Sequence, residues 1–147
     1  MIISRNDLQP NDWIYDYLPQ ITPMLDSYDG DFDQVIVNKI VLWKVNRYPI
    51  VHDAILQELN GIKKTDVSIS PVAVKTLLLK LLNCHGIQLP MASTILRFKN
   101  PKLFQIIDQR VYRVIYGKKM KLPGSYNTNN LEKLADLYLQ YLKDLRN

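Results

Sequence analysis

The sequence predicts an all-α protein built as a single helical domain. Apolar residues recur at helical spacing along nearly all of the 147 residues, and no stretch alternates apolar and polar residues for long enough to indicate a strand. A chain of this length is sufficient for one hydrophobic core of ordinary size. We therefore expect one helical domain over residues 1–147.

The helical segments of the first half are separated by prolines and by a glycine. Residues 10–26 have helical periodicity interrupted by two prolines, which predicts short helices or one broken helix. Residues 31–33 (DFD) open a strongly periodic helix that ends before Pro49. Residues 50–59 form a short helix, because Asn60-Gly61 is a stop signal.

Two further helices flank a short link. Ser70-Pro71 is a start signal, since a hydroxyl can cap the helix and proline loses nothing at the first helical position. The spacing predicts a helix from there to about Asn83 and a link over residues 84–89. Pro90 opens the next helix, which extends through Phe98.

The last third repeats these signals. Asn100-Pro101 has the same pattern of capping residue and proline, and Asp108 starts a helix that extends to Tyr116. Residues 118–128 (KKMKLPGSYNT) are basic and rich in turn residues, which predicts an exposed loop. Asn129 with Glu132 forms a capping box for the final helix.

Composition restricts the class of protein and of site. The net charge of +5 fits a nucleic-acid partner, although many basic proteins bind none. The single cysteine, Cys84, excludes an internal disulfide and a four-cysteine zinc or iron–sulfur site, and we expect no metal and no cofactor. There is no secretory signal and no run of 18 apolar residues, so we expect a cytoplasmic protein without a membrane partner.

Two features between residues 82 and 117 are candidates for ligand binding or catalysis. Gly86 lies in the link between two apolar helices, and a helix N-terminus after a glycine turn can hold a phosphate through its free N–H groups. Asp108 places a carboxylate at the start of a later helix. Each feature also has an ordinary structural explanation. The link is then a corner between helices, and Asp108 is then a helix cap.

The segment LNCHGIQLPMASTILRFKNPKLFQIIDQRVYRVIYG resembles the helix-hairpin-helix DNA glycosylase superfamily of the endonuclease III and adenine glycosylase type. The similarity covers residues 74–117 well and residues 32–60 weakly, and it leaves residues 1–30 uncovered as an N-terminal extension. Together with Trp43-Lys44-x-x-Arg47, it is similar to a compact bacterial branch whose activity is largely unassigned.

The resemblance implies a catalytic role for Asp108. The superfamily's hairpin has a second glycine where this chain has Gln88, and its lyase-active members have a lysine where this chain has Pro90. Proline offers no nucleophile, so Schiff-base chemistry is not expected. The resemblance also implies a set of DNA-contacting residues: His85, Gly86, Ile87 and Gln88 in the link, Lys44 and Arg47, Arg110, and Trp43 as a base-contacting residue.

Alternatives remain for these side chains and for the function. Trp43 is a base-stacking residue or a packed core residue, and Arg110 is a cleft cation, a partner of Asp108 or a surface residue. Lys118, Lys119 and Lys121 with Arg113 contact a DNA backbone or form a solvated face. The chain is accordingly a lyase-free DNA glycosylase-like enzyme, a non-catalytic DNA-binding module, or an interaction protein that keeps the fold.

Overall fold

Seven helices and no strand make up the regular structure of residues 17–146, the part of the chain that this computed structural model describes. The all-α prediction is therefore confirmed for these residues. Residues 10–16 of the predicted N-terminal helical segment lie outside them. The helices are α1 (Thr22–Asp26), α2 (Gln34–Lys44), α3 (Asp53–Gly61), α4 (Pro71–Leu82), α5 (Leu89–Lys99), α6 (Gln109–Tyr116) and α7 (Thr128–Asp144).

The chain divides into two compact units, residues 1–48 and residues 49–147. The prediction of a single domain stays a prediction. In the first unit, α2 begins directly after residues 31–33, as predicted, and Asp33 caps it, because its Oδ1 accepts a hydrogen bond from the Ile36 N–H at 2.8 Å. The end of α2 is closed by Asn46, which adopts the left-handed conformation with φ +52°.

The second unit is organised around α4, which contacts α3, α5 and α7. Leu78 and Leu81 of α4 are completely buried, and α7 brings Tyr138 and Tyr141 into the same core. An amphipathic helix gains most of its stability from such packing rather than from intrinsic propensity. The core therefore depends on helices that are distant in sequence, and it sets the positions of α5 and α6.

The predicted helix start at Asn100-Pro101 is wrong. Asn100 instead ends α5, and residues 101–103 form a turn that no helix follows until α6. The Asn100 side chain does accept hydrogen bonds from the N–H groups of Lys102 and Leu103, at 2.9 and 3.1 Å. Its amide also donates to the carbonyls of Lys63 and Asp66, so tertiary bonding fixes this completely buried side chain in a turn.

Two other local predictions differ from the structure. The capping box at Asn129 and Glu132 is wrong, because Asn127 caps α7 by accepting from the Asn130 N–H at 2.9 Å. Asn129 lies inside the helix. The Ser70 hydroxyl makes no cap hydrogen bond, although α4 begins at Pro71 as predicted. Proline and core packing are therefore sufficient to start this helix.

Candidate functional site

Asp108 lies at the N-cap of α6. Its backbone is extended, with φ −138° and ψ 179°, and its Oδ1 accepts a hydrogen bond from the Val111 N–H at 2.8 Å. The side chain is half-buried. Asp108 is therefore a helix cap, as the structural explanation requires. The second carboxylate oxygen, Oδ2, has no hydrogen-bond partner within residues 17–146, so one oxygen remains for another role.

Side chains of α7 hold the extended segment that leads to Asp108. The Tyr138 hydroxyl donates to the Gln105 carbonyl at 3.0 Å, and the Tyr141 hydroxyl donates to the Ile106 carbonyl at 2.7 Å. Burial raises the pKa of Tyr141, and the charge of Asp108 adds to that increase. Burial likewise raises the pKa of Tyr138. Both phenols therefore remain protonated donors at neutral pH.

Ser93 of α5 holds the same segment from another side. Its completely buried hydroxyl accepts from the Ile107 N–H at 3.1 Å and donates to the Pro90 carbonyl at 2.9 Å. The residue directly before Asp108 is thus joined to the first turn of α5. Neither Ser93 nor the two tyrosines was predicted as a site residue. The sequence signal was a hydroxyl at a position that helical periodicity places in the core.

A cavity of about 440 Å³ lies along α6 and the loop after it, and we call it the α6 cavity. Its lining consists of Gln109, Arg110, Arg113, Lys119 and Met120. The Gln109 side chain joins the two walls, since its amide nitrogen donates to the Met120 carbonyl at 2.8 Å and its amide oxygen accepts from the Met120 N–H at 3.1 Å. Met120 is 3% exposed, whereas Lys118, Lys119 and Lys121 of the same basic loop are exposed.

The cations of the α6 cavity are not neutralised within the described part of the chain. Arg110 and Arg113 are exposed, lie three residues apart on one face of α6, and share this cavity with Lys119. None of the three forms an ion pair with a carboxylate of residues 17–146. The sequence had grouped Arg113 with Lys118, Lys119 and Lys121, and the structure adds Arg110 to Arg113 and Lys119 in one cavity.

The link between α4 and α5 has an exposed turn at its centre. Gly86 has φ +78°, a conformation that favours glycine, and His85 and Gln88 are exposed beside it. Gln88 is the N-cap of α5 and makes no side-chain cap hydrogen bond. The His85 carbonyl accepts from the Ile50 N–H at 3.4 Å, which joins the link to the segment before α3. The first turn of α5 is therefore open to an external acceptor.

Ile87 of the link and Pro90 of α5 have local structural roles. Ile87 is only 3% exposed and belongs to the hydrophobic core, and its assignment to the DNA-contacting set stays a prediction. Ile87 anchors the link through its buried side chain and its N–H bond to the Cys84 carbonyl at 3.2 Å. Pro90 lies in the first turn of α5, where it contributes no N–H and no nucleophile.

Trp43, Lys44 and Arg47 belong to the first unit. The Trp43 indole N–H donates to the Thr22 hydroxyl at 2.8 Å, and its ring meets the Tyr17 ring edge-on with centroids 5.1 Å apart. Trp43 is half-buried, which is the packing that the structural explanation describes. Lys44 and Arg47 are exposed at the end of α2. A base contact by Trp43 and DNA contacts by the two cations stay predictions.

Neither metal-binding groups nor similar proteins add a residue to this candidate site. Among residues 17–146, no three His, Cys, Asp or Glu side chains are grouped so that they could hold a metal ion. No helix within this range is both long enough and apolar enough to cross a membrane. No protein-family model, curated protein or solved structure matches the chain.

Proposed function

We propose that this protein binds DNA through its backbone and acts as a lyase-free DNA glycosylase-like enzyme, with Asp108 as the catalytic carboxylate. The observation that carries this proposal is the position of Asp108 at the start of α6, directly before Gln109 and Arg110 in the sequence, which line the α6 cavity. The proposal retains the resemblance to the helix-hairpin-helix glycosylase superfamily and its compact bacterial branch. We propose a cytoplasmic, nucleoid-associated location on the same basis.

The two carboxylate oxygens of Asp108 have different roles in this proposal. Oδ1 caps α6 by accepting a hydrogen bond from the Val111 N–H, which keeps the carboxylate oriented. Oδ2 is then available to orient a water or to stabilise positive charge on the sugar, as carboxylates do in glycoside hydrolysis. The glycosidic C–N bond breaks, the water oxygen bonds to the anomeric carbon, and the base leaves with a proton. The target nucleotide would be turned out of the duplex to reach the carboxylate.

The α4–α5 link is the proposed phosphate grip. Gly86 permits a close approach of backbone, and the uncapped start of α5 presents N–H groups and the positive end of the helix dipole. Pro90 replaces the nucleophile that Schiff-base chemistry needs, so the proposed enzyme leaves an abasic site rather than a broken strand. Lys44, Arg47, His85, Gln88 and Arg110 are proposed to add backbone contacts without sequence preference.

A second candidate is a non-catalytic DNA-binding module. It is favoured by the cap bond itself, because a hydrogen bond of 2.8 Å to Val111 explains an aspartate at this position without catalysis. Both candidates share the phosphate grip, and only the first requires chemistry at Asp108. The tests of binding and of base release are therefore separate.

The binding test exploits the uncapped N-terminus of α5. Gln88→Glu places a carboxylate where the helix dipole favours it, so folding is unharmed while a bound phosphate is repelled. One charge pair near water is worth about 1 kcal/mol, or roughly fivefold in Kd. Gln57→Glu, an exposed change of equal charge within α3, is the matched control. Equal Kd values for the two variants in fluorescence anisotropy would contradict a grip at this link.

Wild-type binding should also depend steeply on salt. With about 3–5 phosphates contacted, log affinity should fall with log salt at a slope of roughly −3 to −4. An anisotropy titration over several salt concentrations measures this slope. Absence of binding to any duplex at low salt would remove both DNA-binding candidates.

The base-release test compares wild type with Asp108→Asn. Asparagine keeps a cap oxygen, so the free energy of unfolding should fall by at most about 1 kcal/mol. Base release should fall by about a hundredfold or more, because stabilising charge at the sugar is a large term. The assay treats duplexes that carry uracil, alkylated purines, 8-oxoguanine or mismatches, and adds alkali afterwards. Equal rates for wild type and variant would exclude catalysis by Asp108, and strand breaks without alkali would contradict the role given to Pro90.

A further inference from the structure

We propose that the α6 cavity is a binding pocket for a phosphate monoester dianion. The pocket is separate from the phosphate grip at the α4–α5 link, and it goes beyond the proposed function because it requires neither base release nor Asp108. Its binding groups are the side chains of Arg110, Arg113 and Lys119, which line one cavity.

Charge is the first step of the argument. Three cations line the cavity, no carboxylate appears among its lining residues, and none of the three is paired with a carboxylate of residues 17–146. Like charges on one helix face repel one another, so the grouping of these cations is electrostatically unfavourable unless an anion lies between them. A dianion relieves this repulsion more than a phosphodiester does, since the latter carries a single negative charge.

The donor chemistry selects phosphate among anions. Two guanidinium groups offer planar pairs of N–H donors that match phosphate oxygens, and an ammonium group adds a compact charge. Arg110 and Arg113 are three residues apart, so both extend from the same face of α6. Lys119 enters from the loop after α6, which allows the cations to surround an anion from two sides.

The walls of the pocket are fixed before any ligand binds. Gln109 makes two hydrogen bonds with the backbone of Met120, and Met120 is buried. The loop that carries Lys119 is thereby held against the first turn of α6. A preformed site loses less entropy on binding than a loop that must be ordered. The volume of about 440 Å³ is in the range of small-molecule sites, which leaves room for the sugar that bears the phosphate.

The test follows backbone amide shifts by NMR while inorganic phosphate is added at about pH 8, where it is a dianion. Sodium chloride keeps the ionic strength constant. We expect saturable shifts for residues 109–120 in wild type. The variant Arg113→Gln with Lys119→Gln should bind phosphate roughly tenfold more weakly. The variant Arg113→Lys with Lys119→Arg keeps both charges and should retain binding.

The matched control removes two exposed cations outside the pocket, Lys64→Gln with Lys102→Gln. Its phosphate affinity should equal that of wild type. Unchanged affinity in the pocket variant would overturn the proposal, and so would an equal loss in the control, since phosphate would then respond only to net charge. This arm contains no DNA, so a failure of the proposed function and a failure of the pocket are distinguishable.

A second arm distinguishes the sources of the phosphate group. One probe is a single-stranded oligonucleotide with a 5′-phosphate or a 5′-hydroxyl, and the other is ribose 5-phosphate. Tighter binding of the phosphorylated strand, lost in the pocket variant, supports a strand end as the ligand. Displacement of inorganic phosphate by ribose 5-phosphate, without any preference between the strands, supports a small phosphate ester. If neither probe displaces inorganic phosphate, the monoester assignment is overturned.

Discussion

The hydroxyl of Ser93 accepts a hydrogen bond from the backbone N–H of Ile107 at 3.1 Å and thereby joins α5 to the residue directly before Asp108. Ser93 also donates to the Pro90 carbonyl at 2.9 Å. The helix that begins at the α4–α5 link and the carboxylate at the start of α6 therefore share one buried side chain. This contact fixes the proposed phosphate grip and the proposed catalytic group relative to one another.

Ser93→Ala should destabilise the protein by about 1–3 kcal/mol, because the Ile107 N–H would remain buried without a partner. Urea unfolding measures the change. Thr76→Ala is the control, since its exposed hydroxyl makes a comparable bond to the Val72 carbonyl on the surface of α4. The control should change stability by no more than about 0.5 kcal/mol. Equal costs for the two variants would mean that Ser93 does not satisfy Ile107.

Asn100→Ala should be among the most damaging single substitutions, with a cost of roughly 3 kcal/mol or more. The side chain makes four hydrogen bonds with backbone groups of residues 63, 66, 102 and 103, and it is completely buried. Asn83→Ala removes an exposed asparagine with one bond to the Leu79 carbonyl and should cost about 0.5 kcal/mol or less. Chemical unfolding measures the free energy of unfolding of both variants. Equal losses for the two would mean that the Asn100 side chain is exposed to solvent rather than buried.

Gly86→Ala should destabilise the protein by about 1–2 kcal/mol, since alanine is strained at φ +78°. Gly61→Ala provides the opposite case. Gly61 lies at the end of α3, and a Cβ added there meets no atom within 4 Å. The control should therefore be neutral or stabilising by up to about 1 kcal/mol. Thermal unfolding that ranks the two variants in reverse would show that the link has another conformation in solution.

Tyr116 and Asp144 should make stability depend on pH at both extremes. Burial, together with the 2.6 Å bond to the Asp144 Oδ2, raises the pKa of Tyr116 to about 12. Its contribution is thus complete below the unfolded pKa near 10 and is lost as pH rises through about 12. Hydrogen bonds from Tyr116 and Gln140 lower the pKa of Asp144, so that contribution is present above its unfolded pKa and is lost as pH falls through the lower folded value.

Absorbance titration of tyrosinate measures the alkaline side of this prediction. Tyr116→Phe should remove one transition near pH 12 and should weaken the pH dependence of stability at both extremes. Tyr126→Phe, which removes an exposed tyrosine from the loop before α7, should leave both dependences intact. A Tyr116 that titrates like an exposed phenol would contradict the contact with Asp144.

Local signals in the sequence predicted much of the helical framework. Asp33 and Asp108 cap α2 and α6 at the predicted helix starts, because an aspartate before a periodic segment bonds to N–H groups only three residues away. Asn100 and Asn129 failed as helix starts for a related reason. Asparagine bonds equally well to distant carbonyls, and Asn127 captured the N-terminus of α7 two residues earlier. The outcome depended on neighbours that periodicity does not reveal.

The site was less predictable than the framework. The positions of Asp108, Gly86 and Arg110 followed from helix starts and a turn, whereas the grouping of Arg110 with Arg113 and Lys119 depends on the Gln109 clamp on Met120. No local sequence pattern predicts these two hydrogen bonds between the Gln109 side chain and the Met120 backbone across the loop. The roles of the Tyr138 and Tyr141 hydroxyls were not predicted. A tyrosine on a buried helix face indicates a packed core residue, and the sequence does not show that its hydroxyl donates to a distant segment.

Residues 105–107 belong to no helix and are held by side chains of α5 and α7. Local interactions alone therefore cannot fix their conformation. The approach to Asp108 becomes ordered only after helices distant in sequence have docked, which makes it a late and cooperative part of folding. Amide hydrogen exchange at Ile107 should accordingly occur in the same opening event as exchange in the buried turns of α7. An opening that releases α7 would therefore also release residues 105 and 106.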